Sequence, residues 1–292
     1  MNKDHSYIKN GRVSPENIAF YTNYGYLVAA DLMPLDEIDA LKKETAAIFR
    51  GERGQIEGMV PVSANEPDEE VLKKYVAIHF PHKISPYIYN TLFQPSIVDV
   101  LTNIVGPDVK CMQSMLFVKG PGKAGQSWHQ DEYYIPTRDK SLVGVWIAID
   151  NADVDNGCLW IIPGRPGHIM KRVPSESNEY ADVDTIEVSA WEDQMIPVEV
   201  NKGSVVFFNG YTLHSSRRNK TTDCFRTALV NHYMSADSML PWDQDGKLAA
   251  TEDLRDIVLV AGTDPYEWKG TIDANKPYLR PEVLKIKSDR SI

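Results

Sequence analysis

The chain has 292 residues, of which 42% are hydrophobic and 25% charged, enough for a buried core and too apolar for disorder. Its formal net charge of −10 repels phosphate backbones and anionic lipid, which argues against nucleic acid or a membrane as partner. The 3 cysteines, Cys111, Cys158 and Cys224, are too few and too irregularly spaced for a disulfide framework or a zinc site, and read as small buried apolar residues. Residues 1–10 are polar and carry no secretory apolar segment, and no apolar run approaches ~18 residues, so a cytoplasmic chain without a membrane span is expected.

In chain order, Ser14-Pro15-Glu16 reads as an N-cap followed by proline at the first helical position, with Gly25 as the stop. Residues 26–32 predict a short strand. Ile38, Leu41, Thr45 and Ile48 recur at helical spacing, Phe49 extends the stripe, and Gly51 ends it. A third helix is expected over residues 95–105, closed by Gly106-Pro107. These apolar faces predict a helical layer over one side of a sheet. From residue 109 the texture changes to short β-rich runs, at 115–119, 127–134, 142–149, 159–162, 205–208 and 225–233. Val, Ile, Phe, Tyr and Trp dominate them, which points to a sandwich or barrel. Residues 174–193 are polar and acidic and predict a long loop or lid. No repeat or linker is visible, so one domain spanning residues 1–292 is expected.

Gly120-Pro121-Gly122-Lys123-Ala124-Gly125 spells the dinucleotide-binding fingerprint by letters. That motif works only when a helix N-terminus comes next to hold the pyrophosphate. A strand-like run comes next here, so we read a glycine loop beside a pocket.

That run is Trp128-His129-Gln130-Asp131. Alternate side chains of a strand share a face, so His129 and Asp131 point one way and Gln130 the other. His214 comes after the strand-like run 203–208, and if that strand neighbours the first, His214 completes a triangle. Two histidines and one carboxylate on one face of an octahedron leave three positions open, which suits iron(II) with a bidentate co-substrate and dioxygen. The same set suits zinc in a hydrolase or isomerase on a barrel, and each histidine taken alone also fits ordinary packing. Arg226 lies twelve residues after His214 (226 − 214), inside a β-like run. An inward-facing arginine needs an anionic partner, and its fork suits a carboxylate. A non-catalytic jelly-roll binding protein is the third reading, against which the retained His-Asp-His-Arg set argues.

These motifs, together with Gly25-Tyr26-Leu27-Val28, Val145-Trp146-Ile147-Ala148, Asn156-Gly157-Cys158-Leu159-Trp160-Ile161-Ile162-Pro163-Gly164, Gly203-Ser204-Val205-Val206-Phe207-Phe208, His214-Ser215-Ser216 and Phe225-Arg226, carry a resemblance. From about residue 18 to residue 233 the chain resembles the phytanoyl-CoA dioxygenase family, a branch of the iron(II)- and 2-oxoglutarate-dependent oxygenases. The resemblance implies a mainly β fold with flanking α, in which a double-stranded β-helix (a cupin-like jelly roll, about residues 109–235) packs against an N-terminal helical layer (about 14–106). It implies Fe(2+) held by His129, Asp131 and His214, with Arg226 pairing the far carboxylate of 2-oxoglutarate. It places Lys83, Met115 and Trp146 along the co-substrate pocket, where a solvated lysine and a packed core tryptophan are the competing readings, and brings Ser216 and Gln113 within reach. O2 is the second co-substrate, and ascorbate serves such enzymes as reductant. The implied reaction is hydroxylation, or a related oxidation, of a small-molecule substrate with release of succinate and CO2. Asp131 favours this over halogenation, whose enzymes in this group lack the carboxylate. No protein partner is implied. The chain departs from the family pattern after Pro163-Gly164. Arg165 and Pro166 stand where a serine and a histidine are common, His168 is a candidate for that histidine, and Arg165 is expected to face water. Trp128, Tyr133 and Tyr134 are candidates for substrate walls, or for packing at a strand edge.

Overall fold

The structure is a computed structural model that describes residues 7–8, 12–54, 56–137, 139–164, 166–238, 251–252 and 254–280. The N-terminal part runs β1 (Tyr7–Ile8), α1 (Pro15–Tyr24), β2 (Tyr26–Ala29), α2 (Leu35–Phe49), α3 (Asp68–Leu72), β3 (Ala77–His79), α4 (Pro86–Thr91) and α5 (Pro95–Ile104). Strands then dominate: β4 (Val109–Lys119), β5 (Gln126–His129), β6 (Val143–Ala148), β7 (Leu159–Ile162), β8 (Arg172–Pro174), β9 (Asp184–Ile186), β10 (Ile196–Val198), β11 (Val205–Asn209), β12 (Leu213–Ser216), β13 (Arg226–Ser235), β14 (Val258–Ala261) and β15 (Tyr278–Arg280).

The start of α1 obeys its sequence signal. Ser14 Oγ accepts from the Asn17 N–H at 3.2 Å and Asn17 Oδ1 accepts from the Ser14 N–H at 2.9 Å, a reciprocal cap ahead of Pro15. Gly25 ends the helix at φ 78°, a left-handed conformation that glycine adopts without steric cost. The capped helix delivers the chain straight into β2.

A nine-stranded sheet has the order β1-β2-β11-β6-β13-β4-β3-β15, with β14 also on β4; a four-stranded sheet has the order β10-β7-β12-β5. The two face each other as a double-stranded β-helix. The large sheet is buried on both sides, which explains its unbroken apolar runs. On β6, Val143, Val145 and Ile147 meet the helices while Trp146 and Ala148 face the small sheet. On β13, Leu229 and Tyr233 face the helices while Ala228 and Val230 face inward. On β4 the register against β13 shifts between Gln113 and Cys111, leaving Met112 unpaired. That bulge turns Cys111 to the helix side while Met115 stays inside.

Several expectations are corrected. The helical layer is not purely helical, because β1, β2 and β3 join the large sheet, as do the late strands β14 and β15. Residues 174–193 are not a featureless loop: β8 and β9 form a small hairpin, and Ile186 and Val188 pack on Trp128 and Leu213 against the outer face of the small sheet. Cys111 and Cys158 are buried, but Cys224 is exposed; all three are free. Among the described residues, no helix is long and apolar enough to cross a membrane.

Candidate active site

Strand β5 ends at His129, and Gln130 continues extended at φ −126°, ψ 128° before Asp131 opens a 3-10 turn over Asp131–Tyr133. The strand is therefore shorter than the run 127–134 suggested, but one extended residue suffices to bring Asp131 round to the side of His129. Gln130 points away and clips neighbouring loops, donating to the carbonyls of Tyr211 and His168 and accepting from the Met170 N–H.

His214 reaches the site by a different route from the one expected. The run 205–208 belongs to β11 in the large sheet; His214 sits on β12, which pairs directly with β5, with His214 opposite His129. Their rings lie 4.1 Å apart. His129 Nδ1 is 2.6 Å from the Ser127 carbonyl and His214 Nδ1 is 3.0 Å from the Thr212 carbonyl. Each Nδ1–H donating to its carbonyl leaves Nε2 with a free lone pair. Those Nε2 atoms are 3.6 and 3.5 Å from Asp131 Oδ1. Donor atoms from the three residues all lie within 4.8 Å of one another, a spacing that fits a single small cation.

Sequence reasoning missed His232. On β13 it shares the inner face with Arg226, Ala228 and Val230, and even-numbered alternation from Arg226 was the available signal. Its Nε2 lies 3.0 Å from Asp131 Oδ2, and its Nδ1 is 3.3 Å from Gln113 Nε2. One neutral tautomer satisfies both contacts, accepting from the Gln113 amide and donating to Oδ2. Asp131 is thereby held with Oδ1 turned to His129 and His214. Gly144, paired with His232, leaves room: a Cβ there would lie 2.5 Å from the Phe208 ring and 3.2 Å from Asp131 Oδ2.

The electrostatics suit metal binding. Burial, reinforced by the neighbouring His214, pushes the His129 pKa down, keeping its imidazole neutral. Burial alone would raise the Asp131 pKa, but His214, His232 and His129 outweigh it and hold the carboxyl below its usual range. Two imidazoles and one carboxylate form the donor set expected for a divalent first-row metal. Because His232 orients a ligand without itself being one, His232→Leu should weaken metal affinity about 10–100-fold. Calorimetric titration of the metal-free protein checks this; unaltered affinity would remove the role from His232.

The three donors line a cavity of about 640 Å³ that also includes Arg226. Arg226 is 5% exposed, donates through Nε to the Gly157 carbonyl at 3.1 Å, and lies 5.8 Å from the centre of the Trp146 ring. Burial lowers its pKa to about 10, which leaves it charged at neutral pH. Among the described residues no carboxylate pairs with it. Gln113, Met115, Trp146 and Ser216 line the same cavity. Trp146 meets both of its readings, since it also packs in the core between the sheets.

Lys83 does not join them. It ends a short 3-10 turn on the helical side and forms ion pairs with Asp256 and, at 2.6 Å, with Asp273. It is absent from the cavity lining because two carboxylates of the late chain segment hold its ammonium elsewhere. Of the candidate substrate walls, Tyr134 lines the cavity; Tyr133, equally exposed, does not, and Trp128 packs on the opposite face of β5. His168 is exposed and Arg165 lies outside the described residues. At the outer end of the cavity, His79 stacks on Tyr278 at 4.3 Å with Phe80 beside them. Burial, with Arg280 nearby, lowers the His79 pKa to about 4, so that ring is neutral, beside the Arg280 guanidinium in the same cavity wall. The glycine loop over residues 120–125 leads into β5, with no helix to hold a nucleotide.

Among solved structures the fold is similar to the non-heme alpha ketoglutarate dependent carbocyclase SnoK of nogalamycin biosynthesis. The TM-score is 0.63 at 23% identity, over 86% of this chain and 97% of that one. It is also similar to EctD from S. alaskensis with 2-oxoglutarate and 5-hydroxyectoine (TM-score 0.61, 18% identity, 81% of each chain). Among curated proteins, a phytanoyl-CoA dioxygenase domain-containing protein 1 of Danio rerio is 30% identical over 194 residues, 64% of this chain and 65% of the relative, so the chain spans just under two thirds of that protein's length. The peroxisomal phytanoyl-CoA dioxygenase of Homo sapiens is 28% identical over 248 residues, 79% of this chain and 71% of the relative. The family model of phytanoyl-CoA dioxygenase (PhyH) matches residues 21–228, a stretch that contains His129, Asp131, His214 and Arg226. With that match covering most of its length, the chain belongs to the phytanoyl-CoA dioxygenase family.

Proposed function

We propose that this protein is an iron(II)- and 2-oxoglutarate-dependent dioxygenase that hydroxylates a small organic molecule, with the whole chain serving as one catalytic domain. The observation that carries the reading is the shared cavity, with a His-Asp-His donor set and a buried, charged arginine that no carboxylate pairs with among the described residues, both in its wall. A short dicarboxylate chelated by the metal and paired with Arg226 satisfies both requirements. A zinc hydrolase has no need of the arginine, and a passive binding protein has no need of three aligned donors.

The net reaction balances as R–H + O2 + 2-oxoglutarate → R–OH + succinate + CO2. The bound iron would supply the oxidative chemistry, held by His129 Nε2, His214 Nε2 and Asp131 Oδ1. The protein's own contribution is positional. The imidazoles keep their lone pairs available, His232 orients the carboxylate, Arg226 sets the depth of the co-substrate, and the apolar floor around Trp146 and Val230 excludes water. The outer end, lined by His79, Phe80 and Tyr278, offers aromatic surface to a small-molecule substrate.

Anaerobic addition of iron(II) and 2-oxoglutarate to the purified protein should produce a weak visible charge-transfer band, and air with ascorbate should then yield succinate. Similar folds include a carbocyclase and an epimerase, SnoN, so oxygen incorporation into the product must be measured separately from succinate. Neither a band nor succinate would overturn the reading; succinate without oxygen in the product would retain the co-substrate and replace hydroxylation by another oxidation.

A further inference from the structure

A second buried cation stands beside Arg226. Lys119 is the last residue of β4 and pairs directly with Arg226, the first of β13. Both line the cavity, at 6% and 5% exposure, and among the described residues neither makes an ion pair. The Lys119 ammonium donates to the Arg217 carbonyl at 2.6 Å, to Ser216 Oγ at 2.8 Å and to the Gly157 carbonyl at 3.1 Å, the same carbonyl that accepts from Arg226. Three acceptors match the three N–H groups of a charged lysine. Gly157, at φ +83°, permits this approach, since a Cβ there would lie 3.0 Å from the Lys119 nitrogen and 2.5 Å from the Arg217 carbonyl.

Ser216 is the informative partner. Its hydroxyl oxygen accepts from Lys119 and, at 3.2 Å, from the Gln126 N–H. Two donors fill both of its lone pairs, so its own hydrogen must be donated elsewhere, and Ser216 lines the cavity. We propose that Lys119 is a positioning residue for the far carboxylate of the co-substrate: it fixes Ser216 as a hydrogen-bond donor toward that carboxylate and adds a second positive charge beside Arg226. This rests on the assignment of Arg226 to the same carboxylate. Burial and the adjacent Arg226 push the Lys119 pKa well down, so the pair is costly without an anion. A 2-oxo acid lacking the far carboxylate cannot offset that cost, and the pair therefore selects for a dicarboxylate.

The test measures binding of 2-oxoglutarate and of 2-oxopentanoate, which has the same length without the far carboxylate, to protein loaded with redox-inert Mn(II). Wild type, K119M, K119R, S216A, K119M/S216A and R226A are compared by calorimetry, with melting temperatures recorded. Loss of a charge-assisted contact predicts that K119M weakens 2-oxoglutarate about 10–100-fold while 2-oxopentanoate changes little. K119R should recover part of the loss, and S216A should cost much less in the K119M background than in wild type. Equal weakening of both ligands, or 2-oxoglutarate affinity unchanged in K119M and S216A while R226A loses it, overturns the role of Lys119 and leaves Arg226 in place. If R226A also binds 2-oxoglutarate normally, the reading of the pocket itself fails. Should K119M not fold, S216A and K119R still decide, since S216A with full 2-oxoglutarate affinity refutes the proposed donor.

Discussion

Asp131→Ala should abolish turnover, lowering 2-oxoglutarate-dependent succinate formation by more than about 10³-fold, well beyond the 10–100-fold typical of an outer partner. The substitution removes one of three donors and the only anionic one, leaving two imidazoles to hold a divalent cation. It also strips His232 Nε2 of its acceptor in a buried position. His129→Ala and His214→Ala should be as severe, because each removes one of the three candidate donors. Metal analysis of the purified variants should show iron lost together with activity, and far-ultraviolet circular dichroism should show the fold retained. A variant with alanine at 131 that holds stoichiometric iron and turns over normally would remove the metal centre from this site.

Arg226→Ala should leave the metal in place and act on the co-substrate, raising the 2-oxoglutarate concentration for half-maximal rate by about 10²-fold or more. Each lost charge-assisted hydrogen bond costs about 1.5–3 kcal/mol, and the guanidinium fork offers two. The rate at saturation should change much less, because on this assignment the arginine would hold the far end of the molecule and not its reacting carbons. Arg226→Lys keeps the charge but not the fork, and should fall between the two. Steady-state titration in 2-oxoglutarate, with bound iron measured in parallel, separates this pattern from a loss of metal. An unchanged requirement for 2-oxoglutarate would show that the buried guanidinium serves another purpose.

Much of the site was legible in the residues because alternation is local geometry. His129 and Asp131 fell on one side of the chain even though β5 ends before Asp131, since a single extended residue, Gln130, is enough to preserve parity. The glycine loop over residues 120–125 was separable from a nucleotide motif because it runs directly into the strand β5, and strand character is a local property of residues 126–129. Lys83 illustrates the opposite case. Nothing near it in the chain signals Asp256 and Asp273, which lie more than 170 residues away and decide where its ammonium goes.

What the sequence determined by itself was several of the elements and the parity of side chains along them: the capped start of α1, the apolar runs of a sheet buried on both faces, and three candidate metal donors with a basic partner. These arise from short-range sterics, capping and the two-residue period of a strand. Only the tertiary structure decided which strands became neighbours. It paired β12 with β5, so that His214 faces His129; it laid β13 along β4, so that Arg226 met Lys119; and it turned the inner face of β13 so that His232 took hold of Asp131. Those pairings depend on contacts between residues distant in the chain, whose closure is rewarded only when both sheets bury their shared core, and no local pattern carries that information.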